Sequence, residues 1–238
     1  MGFVYVAVAA LSLLSVGQSA PVTSCESLIQ TVEIQGREQL LGKWTYLAES
    51  TNIIGSKLLT NMFVESVWGR LTAANESDAI DHYQVQKLFG RCFSLSTKLS
   101  LQNSTILMEG TYPSSATLLN TGCTDCLVIH SQYTIGGSAF TGLQLLSRRN
   151  KVSAAEREEF MKQVDCLNLP APAFLDPEKD LCPDESPSQE SQTIDLTSIK
   201  NDRESEVVNL LHNILNREGG LSTLIKLFSD NVAALKQK

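Results

Sequence analysis

Two cysteines separated by two residues, Cys123 and Cys126, form the arrangement in this sequence that is closest to a redox or metal site. A reactive C-x-x-C pair depends on a helix N-terminus that stabilises the thiolate, whereas this pair lies at the entrance to a predicted strand. A zinc site would need further ligands, and the three histidines, His82, His130 and His212, are scattered along the chain. The spacing therefore predicts neither a redox centre nor a metal site.

The same three histidines are the imidazole groups available for acid–base catalysis. The sequence contains neither a G-x-S-x-G nucleophile motif nor an H-E-x-x-H zinc motif, and 136–138 (Gly-Gly-Ser) is interpreted as a hairpin turn. An isomerase with a pocket thiol would need a free cysteine, but the cysteine count is six and therefore even. We expect a binding protein with no catalytic residue and no cofactor.

The N-terminus has the composition of a secretory signal peptide. The first twenty residues are uncharged, and an apolar run from Phe3 to Val16 is followed by small residues. This run is shorter than the roughly twenty apolar residues that span a bilayer. Cleavage after Ser19 or after Ala20 fits the pattern; Ser19 is preferred because Pro21 would directly follow the other cut. The mature protein is expected to be secreted, extracellular and soluble.

In an exported chain, the cysteines predict disulfides and two sequons predict glycosylation. Six cysteines in an exported chain predict three disulfides, although their spacing leaves the connectivity open. Asn75 and Asn103 begin N-x-S/T sequons in predicted turns and are expected to carry glycans. The formal charge of −7 argues against nucleic-acid binding and favours cationic small molecules as partners.

The middle of the chain has the pattern of an all-β barrel. Short strand-like segments with turn residues between them suit a closed antiparallel barrel better than alternating strands and helices. The first is Gly42-Lys43-Trp44, in which glycine permits a sharp turn and tryptophan can fill the narrow end of the barrel. Eight strands are predicted near 42–49, 61–71, 79–88, 91–101, 104–112, 115–119, 125–133 and 139–147.

The segment after the barrel is predicted to begin with one packed α-helix. Ser153-Ala154-Ala155-Glu156 has the form of a capping box. An apolar stripe follows at helical spacing and should pack on the outside of the barrel; its members are Val152, Phe160, Met161, Val164 and Leu167. The predicted organisation is a signal peptide at 1–19, a barrel domain at 22–186, an acidic linker at 187–201 and an amphipathic helical tail at 202–238.

These residues together resemble a lipocalin, and within that family the alpha-1-acid glycoprotein (orosomucoid) group. The group is similar to saxitoxin and tetrodotoxin-binding proteins and, more distantly, to apolipoprotein M. The resemblance covers about residues 22–186. It rests on Gly42-Lys43-Trp44, on Thr124-Asp125-Cys126 where the family usually has T-D-Y, and on Glu158-Glu159-Phe160 leading to Asp165-Cys166-Leu167 and then Cys182-Pro183.

The resemblance implies several pairings. Trp44 of the first strand should stack on a basic residue after the last strand, which here is Arg148 or Arg149. It also implies disulfides joining Cys25 to Cys166 and Cys92 to Cys182, which leaves Cys123 and Cys126 for each other.

The residues that line the cavity depend on the phase of each strand. Alternation predicts Phe93, Leu95, Ile106 and Met108 inside. The resemblance favours Tyr46, His82, Gln84, Val128, His130 and Leu146, with Trp68 near the rim. If His82 and His130 both face the cavity, ligand affinity will depend on pH, because imidazole titrates near neutrality.

The predicted function is extracellular sequestration or transport of a small hydrophobic or amphipathic ligand such as a lipid, steroid, retinoid or amine. The resemblance adds toxin binding as a further expectation. An alternative function lies in the tail, where Val207, Leu210, Leu211, Ile214 and Leu215 form an apolar stripe. Such a tail could dock on the barrel or pair as a helical hairpin, or it could bind a protein, a lipoprotein or a lipid surface while the barrel serves as a scaffold.

Overall fold

The structure is a computed structural model that describes residues 24–88, 90–108, 113–135, 137–184 and 192–195. The predicted signal peptide and the predicted amphipathic tail at 202–238 lie outside these residues. Among the described helices, none combines the length and apolar character needed to cross a membrane.

Eight antiparallel strands form a closed barrel, as the sequence predicted. They are β2 (Gly42–Thr51), β3 (Val64–Ala73), β4 (Ala79–Leu88), β5 (Arg91–Gln102), β6 (Thr105–Met108), β7 (Ser114–Leu119), β8 (Cys126–Ile135) and β9 (Ser138–Ser147). Each pairs with the next along the chain, and β9 pairs with β2, which closes the ring.

Three short strands extend this sheet beyond the barrel. β1 (Thr31–Val32) pairs antiparallel with β7, and β10 (Ala173–Phe174) pairs antiparallel with β2. β11 (Gln192–Asp195) pairs in parallel with β5. β11 falls inside the segment that the sequence predicted as a linker, so part of that segment belongs to the sheet.

The described helices are α1 (Cys25–Leu28), α2 (Ser56–Phe63) and α3 (Ala154–Cys166), and a 3-10 turn spans Arg37–Gln39. The sequence analysis did not predict α2 and began the second strand about three residues too early. Leu58, Leu59 and Met62 recur at helical spacing in this stretch, and alternation starts only at Val64. Gly55, with φ of 83°, makes the left-handed turn into the helix.

Helix α3 begins as predicted and packs on the barrel's outer surface. Ser153 and Glu156 form a capping box, each side chain bonding the other residue's backbone N–H. Phe160 and Val164 are buried in a cluster with Leu143 and Leu145 of β9. One member of the predicted stripe, Met161, instead faces solvent and is 45% exposed.

All three disulfides have the connectivity that the resemblance implied. Cys25–Cys166 joins α1 to the end of α3, and Cys92–Cys182 joins β5 to the segment after β10. Cys123–Cys126 is local, at the start of β8. The two long-range bonds close loops of 141 and 90 residues; the first ties α1 to α3, and the second ties the C-terminal segment to the barrel.

Candidate ligand cavity

One end of the barrel, which we call the closed end, is filled by Trp44. Its indole is 4% exposed, and its Nε1 donates a hydrogen bond of 2.7 Å to the Leu40 carbonyl. The Arg148 guanidinium lies over the indole, with its Cζ 3.4 Å from the ring centroid. Arg148 is thus the stacking residue, whereas Arg149 forms ion pairs with Asp125 and Glu156.

The inward face of the barrel is traced by cross-strand pairs that start at Trp44. Trp44 lies opposite Gly69, Gly69 opposite Gln84, and Gln84 opposite Leu95, and residues that lie opposite one another share a face. Eight of the sequence-predicted cavity residues lie on this face: Tyr46, His82, Gln84, Phe93, Leu95, Ile106, Met108 and Leu146.

The three other predicted residues lie on the outward face, so we leave them out of the cavity lining. Val128 packs in the cluster beneath α3. His130 lies opposite Leu143 of the same cluster, with its Nε2 3.1 Å from the Thr141 hydroxyl. Trp68 lies outside the barrel, where its Nε1 donates to the Cys182 carbonyl at 2.9 Å. These outward faces are apolar because α3 and the Cys182 segment cover them.

The closed half of the interior is a packed apolar core. Ile80, Ile106 and Leu118 are buried there together with Leu40 and Ile34, which precede the barrel and cover its end. Space for a ligand therefore lies toward the opposite end, which we call the mouth.

A cavity of about 270 Å³ opens near the mouth. It is lined by residues of β2, β6, β7, β8 and β9, which are Glu49, Ser50, Thr51, Met108, Ser114, Ser131, Tyr133, Ile135, Gly142 and Gln144. Met108 is the sequence-predicted cavity residue among them. A groove of about 710 Å³ adjoins the cavity and shares Met108, Ser114 and Tyr133 with it.

Polar residues of the mouth were missed by the sequence analysis because β2 contains a bulge. The register shifts between Tyr46 and Ala48, so the inward positions change from even to odd numbers, and Glu49 and Thr51 face inward. The alternation of polar and apolar residues along β2 does not reveal this change of the inward positions. Opposite Glu49 lies Gln144, and opposite Thr51 lies Gly142.

These polar groups form a small hydrogen-bonded set. The hydroxyls of Thr51 and Tyr133 are 2.5 Å apart, and Thr60 of α2 donates to a Glu49 carboxylate oxygen. Burial, followed by the negative charge of Glu49, raises the pKa of Tyr133 despite the opposing effect of the Thr51 hydrogen bond. None of the ion pairs found among the described residues includes Glu49. In the part of the chain that the structure describes, the Glu49 carboxylate at the mouth therefore has no cationic partner.

A second polar group lies deeper in the barrel. His82 Nε2 is 3.3 Å from the Tyr46 hydroxyl, and His82 Nδ1 is 3.1 Å from the Thr97 hydroxyl. Burial lowers the pKa of His82 to about 4 and raises that of Tyr46, since the charged form of each group would be poorly solvated. Both groups are therefore neutral near physiological pH and can serve as hydrogen-bonding groups inside the barrel.

The described residues bring one set of possible metal ligands together, Cys123, Asp125 and Cys126. The two sulfurs are joined in a disulfide, and the Asp125 carboxylate binds Arg149. This set offers no thiolate, and it lies outside the barrel cavity.

Comparison with known proteins gives the fold. No protein-family model and no curated protein matches this chain. Among solved structures, the chain is similar to one described as "The Siderocalin Ex-FABP functions through dual ligand specificities", with 19% sequence identity and a TM-score of 0.53. The match covers 63% of this chain and 98% of that chain. The fold is lipocalin-like.

Proposed function

We propose that this protein is a carrier that binds a small hydrophobic or amphipathic ligand in the barrel, without catalysis. The observation that carries the proposal is the cavity at the mouth, where the apolar side chains of Met108 and Ile135 lie beside polar groups that include Glu49, Thr51 and Tyr133. Ligand sites of this kind gain affinity from desolvation and orientation from the polar groups. The similarity to a siderocalin supports a carrier in general terms.

The polar groups favour an amphipathic ligand. The Glu49 carboxylate accepts a hydrogen bond from Thr60 but has no ion-pair partner among the described residues, and its negative charge attracts a cationic or hydrogen-bond-donating group. An anion at the same point would meet like charge. An apolar body with an ammonium or hydroxyl group fits the mouth best, which agrees with the chain's formal charge of −7.

We further propose that the carrier is secreted and glycosylated and belongs to the alpha-1-acid glycoprotein group. Disulfides are typical of oxidising compartments, and the described cysteines are all paired. Asn75 and Asn103 are exposed, in the turns after β3 and β5 at the closed end. Glycans there would leave the mouth accessible. The assignment to this group, including the expectation of toxin binding, rests on the sequence motifs around Trp44, Cys166 and Cys182.

A fluorescence titration tests the carrier function. The full-length secreted protein is mixed with phenylnaphthylamine, a neutral dye that becomes bright in apolar surroundings, and saturable binding of one dye per chain is expected. Met108→Trp fills the cavity and should abolish the signal. Leu107→Trp is the matched control, because Leu107 precedes Met108 on β6 and points outward.

The outcome of the control locates the dye. If Leu107→Trp abolishes binding and Met108→Trp does not, the dye occupies the outer groove that Leu107 lines. That result, or a wild-type chain that binds no dye, contradicts a carrier function based on the barrel cavity.

A further inference from the structure

The side of the barrel between β5 and β6 is closed by two different strands. β6 has four residues and pairs with β5 from Leu99 to Gln102. Toward the mouth, the same edge of β5 pairs with β11, in a register that sets Gln192 opposite Phe93 and Asp195 opposite Ser96. The barrel wall at this point is therefore completed by a segment from the C-terminal part of the chain.

The anchor of β11 is separate from the strand itself. Cys182 is bonded to Cys92, the residue before Phe93, and Gln192 follows ten positions later in the chain. Cys182 is 4% exposed, and its carbonyl accepts the hydrogen bond from Trp68. A strand that detaches from β5 would thus stay tethered nearby, and the small loop-closure cost would favour its return.

The strand itself is poorly secured. It has four residues, and within the described residues it pairs with one neighbour, β5. Short strands with one partner contribute little stability, and such segments open locally at far lower free energy than the whole fold.

The position of β11 on the barrel wall, three residues along β5 from the partner of Met108, gives its release a consequence. β11 pairs opposite Phe93 and Leu95, which lie on the inward face of β5. The β11 pairing ends at Ser96, and the β6 pairing begins at Leu99 opposite Met108, which lines the cavity. Opening this part of the wall would therefore create a side entrance beside Met108.

We propose that Gln192–Asp195 is a releasable strand that closes the side of the barrel and controls how fast the ligand enters and leaves. This inference rests on the carrier function proposed above. The strand acts as a gate because its backbone completes the wall, while the Cys92–Cys182 bond keeps it in place for rebinding.

Proline substitutions in the full-length chain test the gate. Neighbouring residues of a strand point their N–H groups to opposite edges, so only one of Thr193 and Ile194 donates to β5. Proline removes that donor. Thr193→Pro and Ile194→Pro therefore form a matched pair in which one variant loses a bond to β5 and the other does not.

Two measurements are made on each variant. Stopped-flow mixing with phenylnaphthylamine gives the rates at which the dye enters and leaves. Hydrogen exchange gives the rates at which the β5 amides exchange with solvent.

In the variant that loses the bond, both rates should rise about tenfold, as expected if opening becomes easier by the free energy of about one hydrogen bond. In that same variant, the amides within 93–96 that face β11 should exchange faster. The other variant should resemble the wild type in both measurements.

The failures are distinguishable. A wild type that binds the dye, with unchanged rates and unchanged exchange in both variants, contradicts the gate and leaves the carrier function intact. Faster exchange without faster dye entry also contradicts the gate, because the strand then opens without admitting the ligand. A wild type that binds no dye contradicts the carrier function and the gate that rests on it.

Discussion

Arg148 and Trp44 close one end of the barrel as a single unit, with the guanidinium carbon 3.4 Å from the centroid of the indole. Arg148 also donates from Nη1 to the Lys43 carbonyl at 2.8 Å and from Nη2 to the Leu41 carbonyl at 2.6 Å. The planar fork of arginine satisfies two carbonyls while its face covers the ring, a combination that lysine cannot reproduce. The end of β9 is thereby fixed to the segment that leads into β2.

Replacing Arg148 should destabilise the fold. Arg148→Ala removes the stacking and both hydrogen bonds, and we expect a loss of about 2 kcal/mol in the free energy of unfolding. Arg148→Lys keeps the charge and should cost about half as much. The measurement is denaturant unfolding with the disulfides intact. Lys162→Ala, which removes an exposed ion pair with Glu158, is the control and should change the free energy of unfolding far less. Equal losses for Arg148→Ala and Lys162→Ala would contradict this account.

A side chain at Gly42 should disturb the same unit. Gly42 has φ of 101°, and a Cβ there would lie 2.7 Å from Arg148 Nη1. Gly137 is a matched control, because its φ of 81° is also left-handed but a Cβ would meet nothing within 4 Å. Gly137→Ala should cost about 1 kcal/mol from backbone strain, and Gly42→Ala should cost about 1 kcal/mol more because Arg148 must move. Unfolding curves for the two variants would contradict the prediction if their costs were equal.

His82 should make stability depend on pH. Its pKa is about 4 in the folded chain, below its usual 6.5, because burial disfavours the imidazolium. Between these values the unfolded chain binds a proton that the folded chain does not, so the free energy of unfolding falls as pH is lowered through this range. The full effect is about 3 kcal/mol, and it is complete near pH 4.

The comparison with His82→Gln isolates this contribution from other titrating groups. The stability difference between wild type and variant should shift in favour of the variant as the solution is acidified, when both are followed by denaturant unfolding. An NMR titration of the His82 imidazole with a midpoint near its ordinary pKa would contradict the assignment.

Glu49 should make the cavity prefer cationic ligands over neutral ones. Two competitors with the same aromatic body, naphthylmethylammonium and naphthylmethanol, differ mainly in the cation, and each can be tested for displacement of phenylnaphthylamine. Glu49→Gln should weaken the ammonium compound about fivefold, roughly 1 kcal/mol, and leave the alcohol unchanged. Equal weakening of both would indicate a change in cavity shape rather than loss of an electrostatic contact.

The sequence predicted the barrel well because its signals are local. Turn residues divide the chain into strands, and the capping box at Ser153 places α3 correctly. The cavity was harder, because strand phase depends on contacts that are distant in sequence. Val128 is buried on the outward face because it packs in the cluster beneath α3, and Trp68 because it packs against the Cys182 segment. Hydrophobicity alone therefore does not identify the inward face.

Two further features could not be read from local pattern. The bulge after Tyr46 moves Glu49 to the inside, and it becomes visible only when β2 is paired with β9. β11 follows a proline-rich acidic stretch whose last proline is Pro187, and it forms a strand because β5 offers it an unpaired edge. In both cases the deciding partner lies more than ninety residues away in the chain.

The most direct test of the carrier function is mass spectrometry of the protein purified from its native fluid, first under native and then under denaturing conditions. The account predicts a complex heavier than the protein alone by one small molecule, which is released on denaturation and has an apolar body with a polar or cationic group. An empty chain that also fails to take up phenylnaphthylamine would contradict it.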